Sequence, residues 1–241
     1  MQKQESSSLS AVILGLALVL GLASLGYLLG KAAVDVKEYE RSVTVKGLSE
    51  REFAADVVIW PIQFTEASND LAGLYRNIET STDKIRGFLL KNGVTEDEVS
   101  VSTPAITDKS AQQYGNNGRA EFRYTATQNV TVYSNNIDNT RKVMSSLSAL
   151  GKEGIVFTGG NYQAQTEYLF TRLNDIKPAM IEEATRKARE VATKFAEDSN
   201  STLGKIRRAS QGQFSIQDRD RNNPHIKKVR VVSTVEYYLS D

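Results

Sequence analysis

The chain has 241 residues, and its 30 Lys and Arg almost balance its 29 Asp and Glu, so the net charge of +1 gives no reason to expect nucleic acid binding. It contains no cysteine, which excludes disulfides, thiolate metal sites and cysteine nucleophiles. The single histidine, His225, excludes a multi-histidine metal site, and its polar, turn-rich surroundings predict a solvated loop.

The first predicted element is an apolar run over residues 9–29, which follows a polar tail over residues 1–8 and carries no charge before Lys31. About 21 residues with a rise of about 1.5 Å each make a helix of roughly 31 Å, which matches the hydrocarbon core of a bilayer. We therefore predict a single-pass anchor in contact with membrane lipid, a charged tether over residues 30–41, and a soluble domain over residues 42–241.

The same run is also compatible with a signal peptide that is cleaved after Ala23, although this cut leaves the apolar residues 24–29 on the mature chain. The weak charge asymmetry around the run, with Lys3 on its N-terminal side, favours a domain outside the cytoplasm. The predicted location is the cell inner membrane with the domain in the periplasm. Cleavage would instead give a free periplasmic protein.

Two strands and a helix are predicted next. Residues 42–48 alternate and are β-branched, and residues 54–67 are rich in strand formers. Pro61 cannot donate to a sheet ladder, so we expect the second strand to lie at an edge or to contain a bulge. A helix over residues 70–91 begins with capping residues and ends before Gly93, a natural left-handed cap.

A strand over residues 98–107, a polar hairpin tip over residues 108–120 and a long strand over residues 121–133 complete a first half of the domain. A helix over residues 137–150, which Gly151 is expected to end, begins the second half.

The second half continues with strand residues over 154–170, which Gly159 and Gly160 interrupt, and with a charged helix over residues 175–199. Strands over residues 205–214 and 227–239 end the chain. We predict an α+β fold built from two related strand-helix-hairpin halves that follow one N-terminal transmembrane helix.

The charged helix allows two interpretations. Its apolar residues recur near one face, and several acidic residues precede basic ones by four positions. The predicted face consists of Ile181, Ala184, Ala188, Val191 and Phe195. The helix either covers its own sheet and exposes a charged side, or forms a contact between subunits.

A search for catalytic motifs finds none with strong specificity, neither a nucleophile elbow nor a phosphate-binding loop nor a metalloprotease motif. Acidic pairs occur at Glu50/Glu52, Asp97/Glu98 and Asp218/Asp220. The run Glu96–Asp97–Glu98 is either a weak cation site or a solvated turn before a strand, and we favour the turn. We accordingly predict no catalytic, cofactor-binding or metal-binding residues and no cofactor. The binding residues are not defined, and the loops over residues 108–120 and 215–226 are the candidates.

The strand over residues 126–134 and the helix start at 136–147 resemble the SIMPL domain of bacterial envelope proteins, which include a group of periplasmic immunogenic antigens. Residues 187–196 with 203–206, and the opening segment over residues 43–59, resemble the same family. The resemblance implies an α+β fold, an envelope location, a tendency to form homo-oligomers and no established catalytic machinery. The chain departs from the family pattern in its anchor-like apolar segment and in the Trp-Pro pair at positions 60–61.

The sequence therefore favours a non-enzymatic, membrane-anchored envelope protein that forms a homo-oligomer. The alternative is a binding module for a peptide, a lipid or a stress-damaged protein at the membrane surface. A hydrolase that uses carboxylates or His225 is the third hypothesis.

Overall fold

The structure is a computed structural model that describes residues 5–39, 41–111, 121–158 and 165–240. Its helices are α1 (Glu5–Tyr39), α2 (Leu71–Lys91), α3 (Ile137–Ser146), α4 (Ser148–Lys152) and α5 (Leu173–Asp198). Its strands are β1 (Ser42–Ala54), β2 (Val57–Ser68), β3 (Val99–Val101), β4 (Ala105–Asp108), β5 (Tyr124–Ser134), β6 (Val156–Phe157), β7 (Glu167–Leu169), β8 (Thr202–Gln211), β9 (Ser215–Asp218) and β10 (Ile226–Ser240). This mixture of helices and sheets confirms the predicted α+β class.

The chain forms two compact units, and neither is continuous in sequence. Unit 1 consists of Met1–Glu50, Pro178–Phe214 and Arg230–Asp241, and unit 2 of Arg51–Lys177 and Ser215–Val229. This division differs from two consecutive halves because β1 and β10 each contribute residues to both units.

The sheet of unit 2 is built around the pair of β2 and β5. These strands are antiparallel over an uninterrupted register from Val58 opposite Ser134 to Ser68 opposite Tyr124. β3 and β4 pair with the other side of β5, whereas β6 and β7 pair with the other side of β2. β2 is therefore an internal strand.

The prediction that Pro61 places its strand at an edge or in a bulge is wrong. Pro61 lies opposite Thr131 of β5 in unbroken register. On the other side of β2, β7 pairs with Val57–Ile59 and β6 with Phe64 and Thr65, so that Pro61 falls between the two described partners. A proline without an N–H donor is tolerated there because neither of these short strands reaches it.

Helix α2 packs on this sheet through an apolar stripe. Its buried residues are Leu74, Ile78, Ser81, Ile85 and Leu89. The helix begins where predicted, since the Asp70 carboxylate accepts a hydrogen bond from the Gly73 N–H at 2.7 Å. Gly93 has a φ of 84°, the left-handed conformation expected after the helix end.

Two predicted boundaries in unit 2 are wrong. The strand expected over residues 98–107 is split into β3 and β4, because residues 102–104, which end in Pro104, belong to neither strand. The helix expected to end at Gly151 breaks at Leu147 and resumes as α4, which continues to Lys152. The turn uses Gly154 instead, whose φ of 90° only glycine adopts easily. The predicted interruption at Gly159 and Gly160 lies outside the described residues.

Unit 1 consists of α1 and a layer in which α5 packs on the sheet β1-β10-β8. The buried row of α5 recurs every four residues and is 0–2% exposed: Met180, Ala184, Ala188, Ala192 and Ala196. Small side chains let the helix approach the sheet closely. A Cβ atom added to Gly47 of β1 would collide with the backbone carbonyl of Ala184.

The predicted apolar face of this helix is partly wrong. Val191 and Phe195, expected on the buried face, are 40% and 54% exposed. Residues spaced by four follow a line that shifts gradually around the helix, and along this line the alanines face the sheet in place of Val191 and Phe195. Their small side chains permit the close contact between the backbones of α5 and Gly47. Of the acid-first pairs, Glu183–Lys187 forms at 2.8 Å, whereas Arg186 pairs with Glu190 at 3.2 Å.

Candidate functional site

Among the described residues, helix α1 carries the most exposed apolar surface. Its segment Ser10–Val34 has a mean hydropathy of 2.4 and no residue buried inside the structure. By length and composition the helix can cross a bilayer, and an N-terminal signal sequence meets the same criteria. The helix continues through most of the predicted tether to Tyr39, and β1 begins at Ser42.

A cleft in unit 2 gathers polar residues that are distant in sequence. We call it the unit 2 cleft, and its volume is about 500 Å³. Its lining residues are Ala54, Ala55, Glu98, Asn135, Asn136, Ile137, Asp138 and His225. The solitary histidine and two carboxylates therefore share one opening.

Local structure positions each of these side chains. Asn136 caps α3 by accepting a hydrogen bond from the Asn139 N–H at 3.1 Å, which sets Asp138 in the first turn. Glu98 ends a short 3-10 turn and accepts from the Thr95 N–H at 2.9 Å. The His225 ring meets the Tyr168 ring edge-on, with centroids 6.0 Å apart.

The electrostatics of the unit 2 cleft oppose charge on the histidine and favour charge on the glutamate. Burial lowers the pKa of His225, and Arg141 and Arg219 lower it further against the opposite effect of Asp138 and Asp220. Burial raises the pKa of Glu98, but hydrogen bonds from Ser134 and Thr95 outweigh it and leave the pKa below its ordinary value. At neutral pH the cleft therefore holds a neutral imidazole and an ionised Glu98.

His225 lies in a turn, as predicted for a loop, but its ring is not fully solvated, because it is half-buried against Tyr168. A neutral imidazole can accept a proton, but hydrolysis also needs a nucleophile. The Ser134 hydroxyl, which bonds to Glu98, is only 2% exposed. Within the described residues, no three His, Asp or Glu side chains are grouped so that they could hold a metal ion.

The other predicted acidic pairs have structural partners. Glu96 forms an ion pair with Arg86, and Asp218 with Lys227. Asp220 accepts hydrogen bonds from Arg219 at 2.9 Å and from the backbone of its own turn. Glu96 and Asp218 thus pair with basic side chains of other elements, and Asp220 organises its own turn.

The two predicted binding loops differ in what the structure shows. At the base of the first, Asp108 pairs with Arg123 at 2.9 Å, and this guanidinium holds the pKa of Asp108 far below its usual range. Residues 112–120 of that loop lie outside the described residues. The second loop contains β9 and a tight turn organised by Asp220.

A second depression lies in unit 1 between α5 and β8, and we call it the unit 1 groove. Its volume is about 680 Å³, and its lining residues are Glu182, Thr185, Arg186, Arg189, Gly204, Lys205, Ile206 and Tyr237. Ile206 is 49% exposed although it lies beside the buried Tyr237. A local pattern that could have pointed to the unit 2 cleft is the capping residue type at Asn136, two positions before Asp138. No local pattern brings Glu98 or His225 to the same place.

Comparison with known proteins gives one family match. The chain matches the SIMPL family model, described as a protein of unknown function (DUF541), over residues 43–236. No curated protein matches the chain.

Proposed function

Since the chain belongs to the SIMPL family, we propose that it is a non-enzymatic, membrane-anchored envelope protein whose folded domain faces the periplasm and self-assembles. The observation that carries the proposal is the exposure of α1. Every large apolar side chain from Val12 to Val34 is at least 53% exposed, which is costly in water and favourable in lipid.

The short connection to the domain also supports an anchor. Because α1 ends at Tyr39 and β1 begins at Ser42, a retained α1 would hold the domain close to the bilayer surface. Several anchored copies would then share one surface at high local concentration, which favours association.

Sequencing the N-terminus of the mature protein from a membrane fraction tests retention of the anchor. We expect the sequence to begin upstream of residue 9. A mature chain that begins at Ser24 would replace the anchor with a cleaved signal and leave a free periplasmic protein.

Orientation and assembly need separate measurements. A Glu197→Cys variant, whose position is exposed in unit 1, should react with a membrane-impermeant maleimide in spheroplasts without lysis. In lipid nanodiscs the full-length protein should have a mass of several 26.6 kDa chains. Labelling that requires lysis would reverse the orientation, and a single-chain mass would remove the assembly.

The unit 2 cleft favours a second candidate function, a binding module for peptides with a cationic side chain. Glu98 and Asp138 provide negative charge beside the neutral ring of His225. A lysine-rich peptide should bind the full-length protein more tightly than a glutamate-rich peptide of equal length, and Asp138→Asn should weaken that binding. Equal affinities for both peptides would remove this candidate.

A further inference from the structure

The unit 1 groove has an apolar floor that α5 leaves open to solvent. Ile206 of β8 lies opposite Tyr237 of β10 in the sheet, and residues paired in this way point to the same face. Tyr237 packs with Ala188 and Ala192 of α5 and is buried, whereas Ile206 is 49% exposed. The groove therefore exposes apolar surface on the face of the sheet that α5 covers elsewhere.

Basic side chains lie on both walls of the groove. Arg186 and Arg189 belong to α5, and Lys205 belongs to β8. Arg186 is already paired with Glu190 at 3.2 Å. Within the described parts of the chain, Arg189 and Lys205 form no ion pair, and Glu182 is the only acid of the lining. The lining therefore has a surplus of positive charge that is not neutralised locally.

Arg189 and Tyr237 together provide donors for an anion. Burial raises the pKa of Tyr237, and the positive charge of Arg189 acts against this rise, so the guanidinium lies within electrostatic reach of the phenol. The Tyr237 hydroxyl forms no hydrogen bond with another described residue. A carboxylate in the groove can accept hydrogen bonds from the guanidinium, the phenol and the Lys205 ammonium.

The edge of β8 is a poor template for an added peptide strand at this place. Among the described residues its outer side has no partner, but its register against β10 shifts twice, between Glu236 and Tyr237 and between Tyr237 and Leu239. Ile206 lies between the two shifts. Bulges of this kind interrupt the regular ladder and protect edge strands from pairing. An occupant that uses the apolar floor and the basic side chains fits the groove better than one that requires a ladder.

The groove lies near the end of unit 1 that is joined to α1. The Leu239 N–H donates to the Arg41 carbonyl, and Leu239 lies opposite Leu203, so the start of β1 is level with Leu203. Lys205 is two residues further along β8, or about 7 Å at about 3.3 Å per residue. With α1 retained, as proposed above, amphiphilic molecules of the bilayer are close to the groove.

We propose that the unit 1 groove binds a single-chain amphiphile with an anionic head group, the chemistry of a long-chain fatty acid. Arg189, Lys205 and the Tyr237 hydroxyl hold the carboxylate, and the alkyl chain lies over Ile206 and the aliphatic stem of Arg186. The groove volume of about 680 Å³ is within the range of small-ligand sites. The folded domain would thereby have a ligand of its own in addition to its anchor.

Glu182 limits the charge of the ligand. Its carboxylate lies on the same wall as Arg189 and opposes part of the positive charge of the groove. A head group with a single negative charge is therefore favoured over one with two, because the second charge would add repulsion from Glu182 without a third unpaired cation to offset it.

Photolabelling of the full-length protein in phosphatidylcholine nanodiscs tests the site. The two probes are a diazirine-bearing palmitate and a diazirine-bearing hexadecylamine of equal chain length. Both enter the bilayer and should label α1, which serves as the internal reference. Relative to α1, we expect palmitate to label the peptides that line the groove about tenfold more than the amine does. Palmitate without a diazirine should displace this label.

Charge variants separate the site from a general attraction to the protein. Lys205→Glu should reduce groove labelling by palmitate about tenfold. The matched control is Lys194→Glu, since Lys194 is exposed on α5 and lies about 140° round the helix from Arg189 at about 3.6 residues per turn. This control should label like the wild type. Glu182→Gln should increase groove labelling about twofold, a gain that partial unfolding would not produce.

Two kinds of result would overturn the proposal. Equal groove labelling by the two probes, or an equal loss in Lys205→Glu and Lys194→Glu, would show that the groove does not select an anion. Displacement of the label by a glutamate-rich peptide but not by palmitate would assign the groove to an acidic protein segment. Cleavage of α1 in the cell or a monomeric mass in nanodiscs would contradict the proposed anchor or assembly and leave these labelling ratios unchanged.

Discussion

Gly47 is a residue at which the backbones of a strand and a helix meet. Its missing side chain lets β1 approach α5 so closely that a Cβ atom would collide with the Ala184 carbonyl. Backbone cannot yield as the end of a flexible side chain can, so a methyl group must push the helix and the sheet apart. The close packing of α5 on β1 therefore depends both on the buried alanines of the helix and on this glycine.

We expect Gly47→Ala to lower the free energy of unfolding by about 1–3 kcal/mol, the usual cost of overpacking a core. The matched control is Gly87→Ala on the exposed side of α2, where nothing lies within 4 Å of the added atom. The control should raise the free energy of unfolding by up to about 1 kcal/mol, because alanine is the better helix former. Urea denaturation of both variants measures the difference, and equal effects would contradict the close approach.

His225 should make stability depend on pH in a narrow range. Burial and two arginines lower its folded pKa, so the unfolded chain, with a pKa of about 6.5, binds the proton more readily. The contribution is complete above about pH 6.5 and is lost as the pH falls from there toward the folded pKa.

His225→Phe keeps a ring beside Tyr168 and removes the titrating group. Between about pH 5.5 and 7.5, above the range in which carboxylates titrate, the wild type should lose stability on acidification more steeply than the variant. Thermal unfolding across this range measures both slopes. Parallel curves would mean that the cleft does not disfavour the protonated ring.

At the scale of the helix, α2 depends on its cap. The Asp70 carboxylate satisfies the Gly73 N–H, and Asp70→Ala should lower the free energy of unfolding by about 1 kcal/mol. Asp83→Ala, in the exposed middle of the same helix, should have a smaller effect because no orphan N–H depends on it. Denaturant unfolding that ranks the two variants in reverse order would contradict the capping role.

The helices and strands also show which features could be predicted from sequence. Asp70 and Gly93 were found because capping chemistry is local, and the α+β class followed from the alternation of periodicities. The edge or bulge predicted at Pro61 was wrong because the missing N–H matters only where a neighbouring strand would accept its hydrogen bond. The sequence around Pro61 does not show which strands lie beside it.

Val191 and Phe195 were placed on the face that covers the sheet because the sequence of the helix contains two neighbouring apolar stripes. Only the contact with Gly47 shows which of these stripes packs on the sheet. The unit 2 cleft was missed for the same reason, since Glu98, Asp138 and His225 meet only through tertiary structure.

At the scale of the whole molecule, the exposed apolar side chains of α1 favour lipid, whereas the surface of the folded domain favours water. Leu20→Arg places a charge near the middle of Ser10–Val34 and should cost about 2.5–3.5 kcal/mol on insertion into a bilayer. Ser10→Arg, at the end of the same segment, should cost little because the long side chain reaches the interface. The fraction of full-length protein that resists alkaline extraction from membranes should therefore fall sharply for Leu20→Arg and remain near the wild-type value for Ser10→Arg. If both variants resisted extraction equally, α1 would not be the element that holds the protein in the membrane.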